Sequence, residues 1–591
     1  MLKLLQIRPG EGRSALLLVL LMLVPSAGGA ISSPGIDALF FARVGVEFLP
    51  YMYMVLGVLT LAASLVVTAL LGRLPKKLLY SAIPLILGFT MLAARLFIAF
   101  DLPWVYSALW LAMYLMWTLQ YLVIWGLASM VFDTRQAKRL FPLFAAGGIL
   151  GTASGGLITR PLVGWLGSEN LLLAWALAFF GQALLTRPLL ADVREAPIRS
   201  RWERPSLTRD LRRGYQVVRH SRLLSWMSIG ALLLGALLFS VIFPFSKAVV
   251  TQFETEDPIA GFLGIFQGAT TVVALLASLF LANRLFSRAG FMGALLGYPL
   301  IHLVGFGTVA LRPTLATLAG LRFMQMVWRL AMFDPAFQGV LSLVPPDQRE
   351  AARTFIDGVP KQAGVVLAGL ILAFGNRSLL PTQLYLLFAG IAASGLWVFW
   401  RARHAYRGAL AQALHAGNPQ IFYASEQPFG GFQHDAAAIA AAVNGVSDPD
   451  PAIRRVSAEI LGNLEVPEAS ATLVAGLEDP DPIVRVALLR SLGRAGAQGA
   501  LLEVAAALDD PEPEVRLEAI QTARALAGYR RGLLTQVERL LEDPAPEVRS
   551  CVAVILLEAG PHPEASRVLR DMVGTAEPQA RKAVLDSIAR W

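Results

Sequence analysis

Arg322, Gln325 and Arg329 recur at intervals of three and four residues inside an apolar stretch, so a helix there carries them as one polar stripe. Ionisable groups are costly in a hydrocarbon core and mark functional positions. A guanidinium stripe has the fork geometry to hold a phosphate or carboxylate through two bonds at once. Lys361 and Asp357 fall in the next apolar stretch; at about 1.5 Å of rise per residue they lie near the midplane or somewhat inside it. The expected substrate site for an organic anion is therefore Arg322, Arg329 and Lys361, with Asp357 beside them and Gln325 and Gln120 orienting the ligand. The alternative is an ion-pair lattice in which Arg329 meets Asp334 or Asp357 and merely ties helices together. Gln120 and Gln267 sit at mid-depth, as hydrogen-bonding groups for a ligand or between helices. Arg43, Glu47, Arg95 and Lys247 fall toward the outer ends of their stretches, where ion pairs would make an outer gate and snorkelling anchors are the alternative. His302 is a lone histidine on an apolar helix, a proton relay or a structural residue.

Other chemistries find no support. No Gly-Lys pair occurs anywhere, so no P-loop ATPase is encoded and transport would be driven by gradients or exchange. The lone cysteine, Cys551, excludes internal disulfides, and the six histidines lack metal-ligand spacing. Neither a cofactor nor an enzyme activity is expected. Gly147, Gly151 and Gly155 lie within an apolar run and read as a helix-packing seam, not a phosphate loop.

These residues need helices that cross a membrane. The chain has 591 residues, 55% hydrophobic and 16% charged, with a mean hydropathy of +0.57, too apolar for an ordinary soluble protein. Twelve stretches are long enough to span a core needing roughly 20 helical residues: 14–36, 46–71, 78–100, 104–131, 140–166, 171–190, 223–250, 259–282, 289–311, 314–344, 351–374 and 379–400. Alternate loops carry the Lys and Arg, including Lys3, Arg8 and Arg13, Arg73, Lys76 and Lys77, and a long basic stretch from Arg194 to Arg222, whereas 254–257 is acidic. The positive-inside rule then places both termini in the cytoplasm of a cell or inner membrane. Ser26 to Ala30 resembles a signal cleavage region, but removing it would break the six-plus-six count. Arg135 to Gly155 and Arg349 to Gly369 echo one another at an offset of 214, and a second pair of helix–loop junctions, at 71–77 and 282–288, matches at 211. Duplication of one membrane unit is expected.

After Arg407 the pattern changes. Asp448-Pro-Asp-Pro-Ala-Ile-Arg, Asp479-Pro-Asp-Pro-Ile-Val-Arg, Asp510-Pro-Glu-Pro-Glu-Val-Arg and Asp543-Pro-Ala-Pro-Glu-Val-Arg recur every 31 to 33 residues. Asp-Pro ends one helix and the second Pro suits the first turn of the next, so stacked helix pairs are expected. The repeats resemble HEAT repeats of a short, Asp-rich type, with 577–581 as a degenerate last copy. The segment 435–591 carries 24 acidic against 16 basic residues, so the membrane portion is more basic than the net +9 suggests. The expected organisation is an all-α chain: a six-helix transmembrane bundle at 1–191, a basic cytoplasmic linker at 192–222, a second, pseudo-symmetric six-helix bundle at 223–402, a linker at 403–434 and a soluble α-solenoid at 435–591.

Asp37-Ala-Leu-Phe-Phe-Ala-Arg-Val-Gly followed by Leu49-Pro-Tyr-Met-Tyr, and Phe132-Asp-Thr-Arg-Gln-Ala-Lys-Arg-Leu-Phe with its glycine run, resemble the bacterial branch of the ATP/ADP translocase family. That family shares the major facilitator architecture, and some bacterial members carry HEAT repeats. The resemblance implies nucleotide exchange or uptake by alternating access. Gly35-Ile36 stands where relatives commonly have basic residues, and the loop at 72–77 lacks an acidic residue, so no substrate residue is carried over. The expected partners are membrane lipid, a small organic anion such as a nucleotide, and a cytosolic protein for the solenoid, with no nucleic acid. The alternatives are a lipid or lysolipid carrier of the major facilitator type, and a transporter-derived anchor or sensor whose solenoid recruits a protein.

Overall fold

The computed structural model describes residues 12–71, 75–132, 134–191, 207–415, 435–463, 467–528, 531–575 and 577–589. Lys3, Arg8, Arg73, Asp133, Arg194, much of both linkers (192–206 and 416–434) and Trp591 lie outside the described residues. The chain separates into two compact units, Met1–Tyr406 and Arg407–Trp591.

In the first unit one half consists of α1 (Gly12–Phe40), α2 (Leu49–Leu71), α3 (Lys76–Ile98), α4 (Pro103–Val131), α5 (Thr134–Leu166) and α6 (Leu171–Ala191). After the short helix α7 (Leu207–His220) the other half follows: α8 (Arg222–Gln252), α9 (Glu256–Phe280), α10 (Ala282–Leu311), α11 (Leu315–Trp328), α12 (Asp334–Leu341), α13 (Pro346–Gly358), α14 (Pro360–Ser378) and α15 (Pro381–His415). Ten stretches among the described residues are long and apolar enough to cross a membrane. Two features separate this from the twelve expected. Gly12–Ala63 runs as one stretch through α1 and α2, because only a π-turn at Phe41–Gly45 and a single 3-10 turn divide them. The segment 314–344 is broken by a second π-turn, Arg329–Phe333, which leaves neither α11 nor α12 long enough alone.

The two halves share a packing plan. Glycine-rich α5 lies on α1 of its own half and on α9 of the other; α14 lies likewise on α8 and on α2. Gly151 and Gly155 abut the backbone carbonyls of Leu23 and Ala27 in α1, and Gly364 abuts that of Leu232 in α8, so none has room for a Cβ. Between halves, Gly156 meets Gly264 and Gly268 of α9, where a Cβ would stand 2.8 Å from the Gly264 carbonyl oxygen. Lipid tails are as apolar as leucine, so such backbone contact, not a hydrophobic drive, holds membrane helices together. Helix α7 packs on α13, with Gly214 against the Ala351 carbonyl and the Tyr215 ring 5.7 Å from that of Phe355.

In the second unit three of the four repeated arginines tie their loop to the next, while Arg549 donates to the Asp543 and Pro544 carbonyls of its own loop. Arg454 donates from Nε and Nη2 to the Asp479 carboxylate at 2.6 and 2.9 Å, and from Nη1 to the Asp448 and Pro449 carbonyls. Arg485 with Asp510 and Arg516 with Asp543 repeat this bidentate geometry. Burial alone would raise the Asp479 carboxyl, but the Arg454 guanidinium and the Asp481 backbone N–H outweigh it and hold it below the usual carboxylate value. The prolines stand where the motif places them, with Pro451, Pro482, Pro513 and Pro546 opening helices.

Gly364→Val forces α14 away from α8 and is expected to cost about 2–3 kcal/mol, whereas Gly390→Ala, with open space around it, should stay within about 1 kcal/mol. Thermal unfolding of the purified protein checks both; equal midpoints would show that the close approach is not needed.

Candidate functional site

Between the halves lies a cavity of about 200 Å³, walled by α1, α4, α8, α9 and α11. Its charged groups are Asp37 of one half and Arg322 of the other; Gln267, Ser33 and Ser246 add polar atoms, and Trp110, Tyr114, Trp117, Phe245 and Phe266 supply aromatic surface. The Trp110 indole Nε1–H donates to Asp37 Oδ1 at 2.9 Å, and that of Trp117 donates to Ser33 Oγ at 3.0 Å. These bonds fix the orientation of the rings and the carboxylate. Arg322 Nη1 donates to Gln325 Oε1 at 2.6 Å. Gln325 is fully buried and its Nε2 lies against the Leu237 carbonyl at 3.2 Å, the Tyr298 hydroxyl at 3.3 Å and His302 Nε2 at 3.0 Å. His302 Nδ1 contacts the Tyr298 carbonyl at 2.8 Å, which assigns the proton to Nδ1 and leaves Nε2 to accept. The histidine thus supports Gln325, which holds Arg322. Tyr53 rings against Trp110, and its buried hydroxyl has no hydrogen-bond partner among the described residues.

The sequence-predicted residues divide between places. Arg322 and Gln325 come together, with Gln267 across the cavity. Arg329 closes the regular helix at the first residue of the π-turn and faces Asp334 at 3.8 Å. The Asp334 side chain is half-exposed. Lys361 pairs with Asp357 at 3.3 Å, and Arg353 approaches the same carboxylate at 3.9 Å. Lys361 and Asp357 line a separate cavity of about 220 Å³ with Thr60, Leu211 and Gln362, at the end where α7 packs on α13. Gln120 accepts the Trp175 indole N–H at 2.9 Å, a contact from α4 to α6 within one half.

At the opposite end, where α1 meets α2, charged groups join the halves. Arg43 Nε donates to Glu256 at 2.5 Å, and Arg43 also approaches Asp101 at 3.4 Å and Glu169 at 3.9 Å. The Ser168 backbone N–H donates to Asp257 at 2.8 Å. Lys247 pairs with Glu47 at 3.2 Å, and Asn376 Nδ2 donates to Glu47 at 3.1 Å. Arg95 binds Glu169 at 3.3 Å and Asn170 at 2.7 Å inside its own half. Arg43 and Arg95 therefore share Glu169, Glu47 and Lys247 form a separate pair, and Arg43, Glu47 and Lys247 bridge halves. Among the described residues no group of three or more His, Cys, Asp or Glu is placed to hold a metal.

Sequence reasoning missed Asp37, Tyr53 and Tyr114. The first stretch was bounded at residue 36, but α1 continues to Phe40 and carries Asp37 inward. An acid one residue beyond an apolar run, with no basic neighbour in 33–42, was the available signal.

The HEAT-repeat family matches residues 437–524 and 501–589. No curated protein sequence matches the chain. A mutant form of the nucleoside transporter NupG superposes with a TM-score of 0.50 at 17% identity, over 66% of this chain and 99% of that one. A bacterial homologue of the iron transporter ferroportin, in an inward-facing state, gives 0.49 at 13% over 66% and 98%. A bacterial homologue of the human lysosomal transporter Spinster, inward-facing and unoccupied, gives 0.43 at 13% over 82% and 98%. The chain is an all-α polytopic membrane protein of the major facilitator fold with HEAT repeats at its C-terminal side.

Arg43→Ala and Glu256→Ala, alone and combined, should show a coupling of about 0.5–1 kcal/mol in a thermal double-mutant cycle. Strict additivity would mean that the pair does not join the halves in solution.

Proposed function

We propose that the protein is a secondary transporter of the cell membrane, working by alternating access and moving an organic anion, most concretely a nucleotide. The observation that carries this reading is the cavity in which Arg322 and aromatic rings from both halves converge beneath a set of cross-half ion pairs. A guanidinium offers a phosphate two parallel bonds, and Trp and Tyr faces suit a base. Gln267 lies where it would add a donor, and the Tyr53 ring, whose hydroxyl has no partner among the described residues, packs behind Trp110 of the cavity wall. At about 200 Å³ the cavity is below the roughly 300–1,000 Å³ of small-molecule sites. A nucleotide therefore enters a wider state than this one, which alternating access supplies.

In this reading Arg322 contacts the anion, and Gln325 fixes its guanidinium. Arg329 with Asp334, and Lys361 with Asp357, mark the route toward the α7 end, which the basic loops assign to the cytoplasm together with both termini. Arg43, Arg95, Glu47 and Lys247 form the outer gate. The resemblance to the bacterial ATP/ADP translocases supports the nucleotide, and the HEAT repeats would bind a cytosolic protein. A lysolipid carrier is the second reading; the exposed apolar residues Leu150, Leu157 and Ile158 of α5 are the surface it would use.

In proteoliposomes loaded with ATP, labelled ADP should enter, and Arg322→Ala should slow entry about 10- to 100-fold by removing a charge-assisted bidentate contact. Uptake equal to that of empty liposomes, or unaffected by Arg322→Ala, overturns the assignment; uptake of lysophospholipid instead moves it to the lipid reading.

A further inference from the structure

A second cavity, of about 540 Å³, opens beside the α1–α2 end, apart from the central cavity, and shares Lys247 with the proposed outer gate. It belongs wholly to the second half, between the last turns of α8, the start of α11 and the junction of α14 with α15. Its volume falls inside the range of small-molecule sites, which the central cavity's does not. Leu315, Leu318, Leu379 and Leu384 make most of its wall apolar, while Lys247 and Asn376 are donors on its rim. Both donors are directed at one acceptor outside the cavity, the Glu47 carboxylate of the other half, at 3.2 and 3.1 Å. The Lys247–Glu47 pair is half-exposed on both sides, and such pairs are weakly held. An anionic group seated in this cavity would compete with Glu47 for the same two donors.

We propose that the cavity binds an amphipathic anion, a phosphate or carboxylate on an apolar body, whose head displaces Glu47 from Lys247 and Asn376 and so releases one of the links between the halves. The occupant comes from the outer leaflet, as a lipid with a phosphate head, or from solution, as a free organic phosphate. The apolar walls take the body and the rim takes the head. Calling this end outward rests on the topology proposed above. Binding does not, and it is measured without a transported substrate.

The full-length protein in phosphatidylcholine nanodiscs is titrated with dodecyl phosphate below its micellar range, with phenyl phosphate and with inorganic phosphate, following the thermal midpoint. Dodecyl phosphate should give a saturable rise and inorganic phosphate none. A rise with phenyl phosphate as well identifies a soluble ligand; a rise with dodecyl phosphate alone identifies a membrane lipid. Lys247→Gln should weaken binding about tenfold or more, through the lost charge-assisted bond, and Leu318→Trp should abolish it by filling the cavity. Glu47→Gln should tighten binding about three- to tenfold, because the competing carboxylate is gone. No saturable rise with either organic phosphate, or a rise unchanged by both Lys247→Gln and Glu47→Gln, overturns the proposal. ADP uptake by the same preparation is scored separately, so a failed titration with intact uptake removes this site and leaves the transporter standing.

Discussion

Backbone contact between the halves is the constraint on which the rest of the first unit depends. Gly156 against Gly264 and Gly268 brings α5 to α9 with no side chain between them, and Gly57 lets α2 approach the Val366 side chain and the Gln362 carbonyl of α14. Interdigitated large side chains would lock the seam, because packed interfaces resist continuous deformation. In the proposed transport cycle, smooth surfaces at the same place would let the two bundles stay joined while their angle changes. Within each half the contacts are as close, through Gly151 on Leu23 and Gly364 on Leu232.

Charge is distributed to match that mechanics. The cross-half pairs at the α1–α2 end are partly exposed, with the Arg43 and Glu256 side chains at 38% and 20%, and individually each contributes on the order of 1 kcal/mol or less. Several such pairs close an end without making closure irreversible. Groups near the centre are positioned by neutral partners instead: Asp37 by Trp110, and Arg322 by Gln325, which is itself held by His302, Tyr298 and a carbonyl of α8. Asp37 and Arg322 make no direct ion pair among the described contacts, although they line one cavity. An anion brought to Arg322 meets a guanidinium that has one bond to a neutral amide and further N–H groups to offer.

The large features could be read from residues because they repeat. Apolar runs of 20 or more residues, basic loops and the Asp-Pro phrases each follow one physical rule applied many times. The arginines of the Asp-Pro phrases could be placed at helix starts, but not paired, because each partner lies some 25 residues on, in the next repeat. The site was less legible. Arg322, Gln325 and Arg329 follow helical spacing, but the π-turn that starts at Arg329 and precedes Asp334 could not be read. Asp37 was hidden by four additional residues of α1, and Lys361, placed by depth alone, lines a cavity of its own beside Asp357. Depth along a helix can be counted, but the place of a π-turn cannot. Nor does sequence show that Glu47, Lys247 and Asn376, separated by up to 329 residues, share one carboxylate.

The most direct test of alternating access is a pair of distances measured by double electron–electron resonance, one across each end of the bundle. Spin labels at Leu102 and Arg312 report on the α1–α2 end, and labels at Lys77 and Arg288 on the other; Cys551, the one native cysteine, is buried in the solenoid. With ADP added, the account predicts that the first distance lengthens and the second shortens in part of the population. Two distances that stay single and unchanged with every substrate that binds would contradict it.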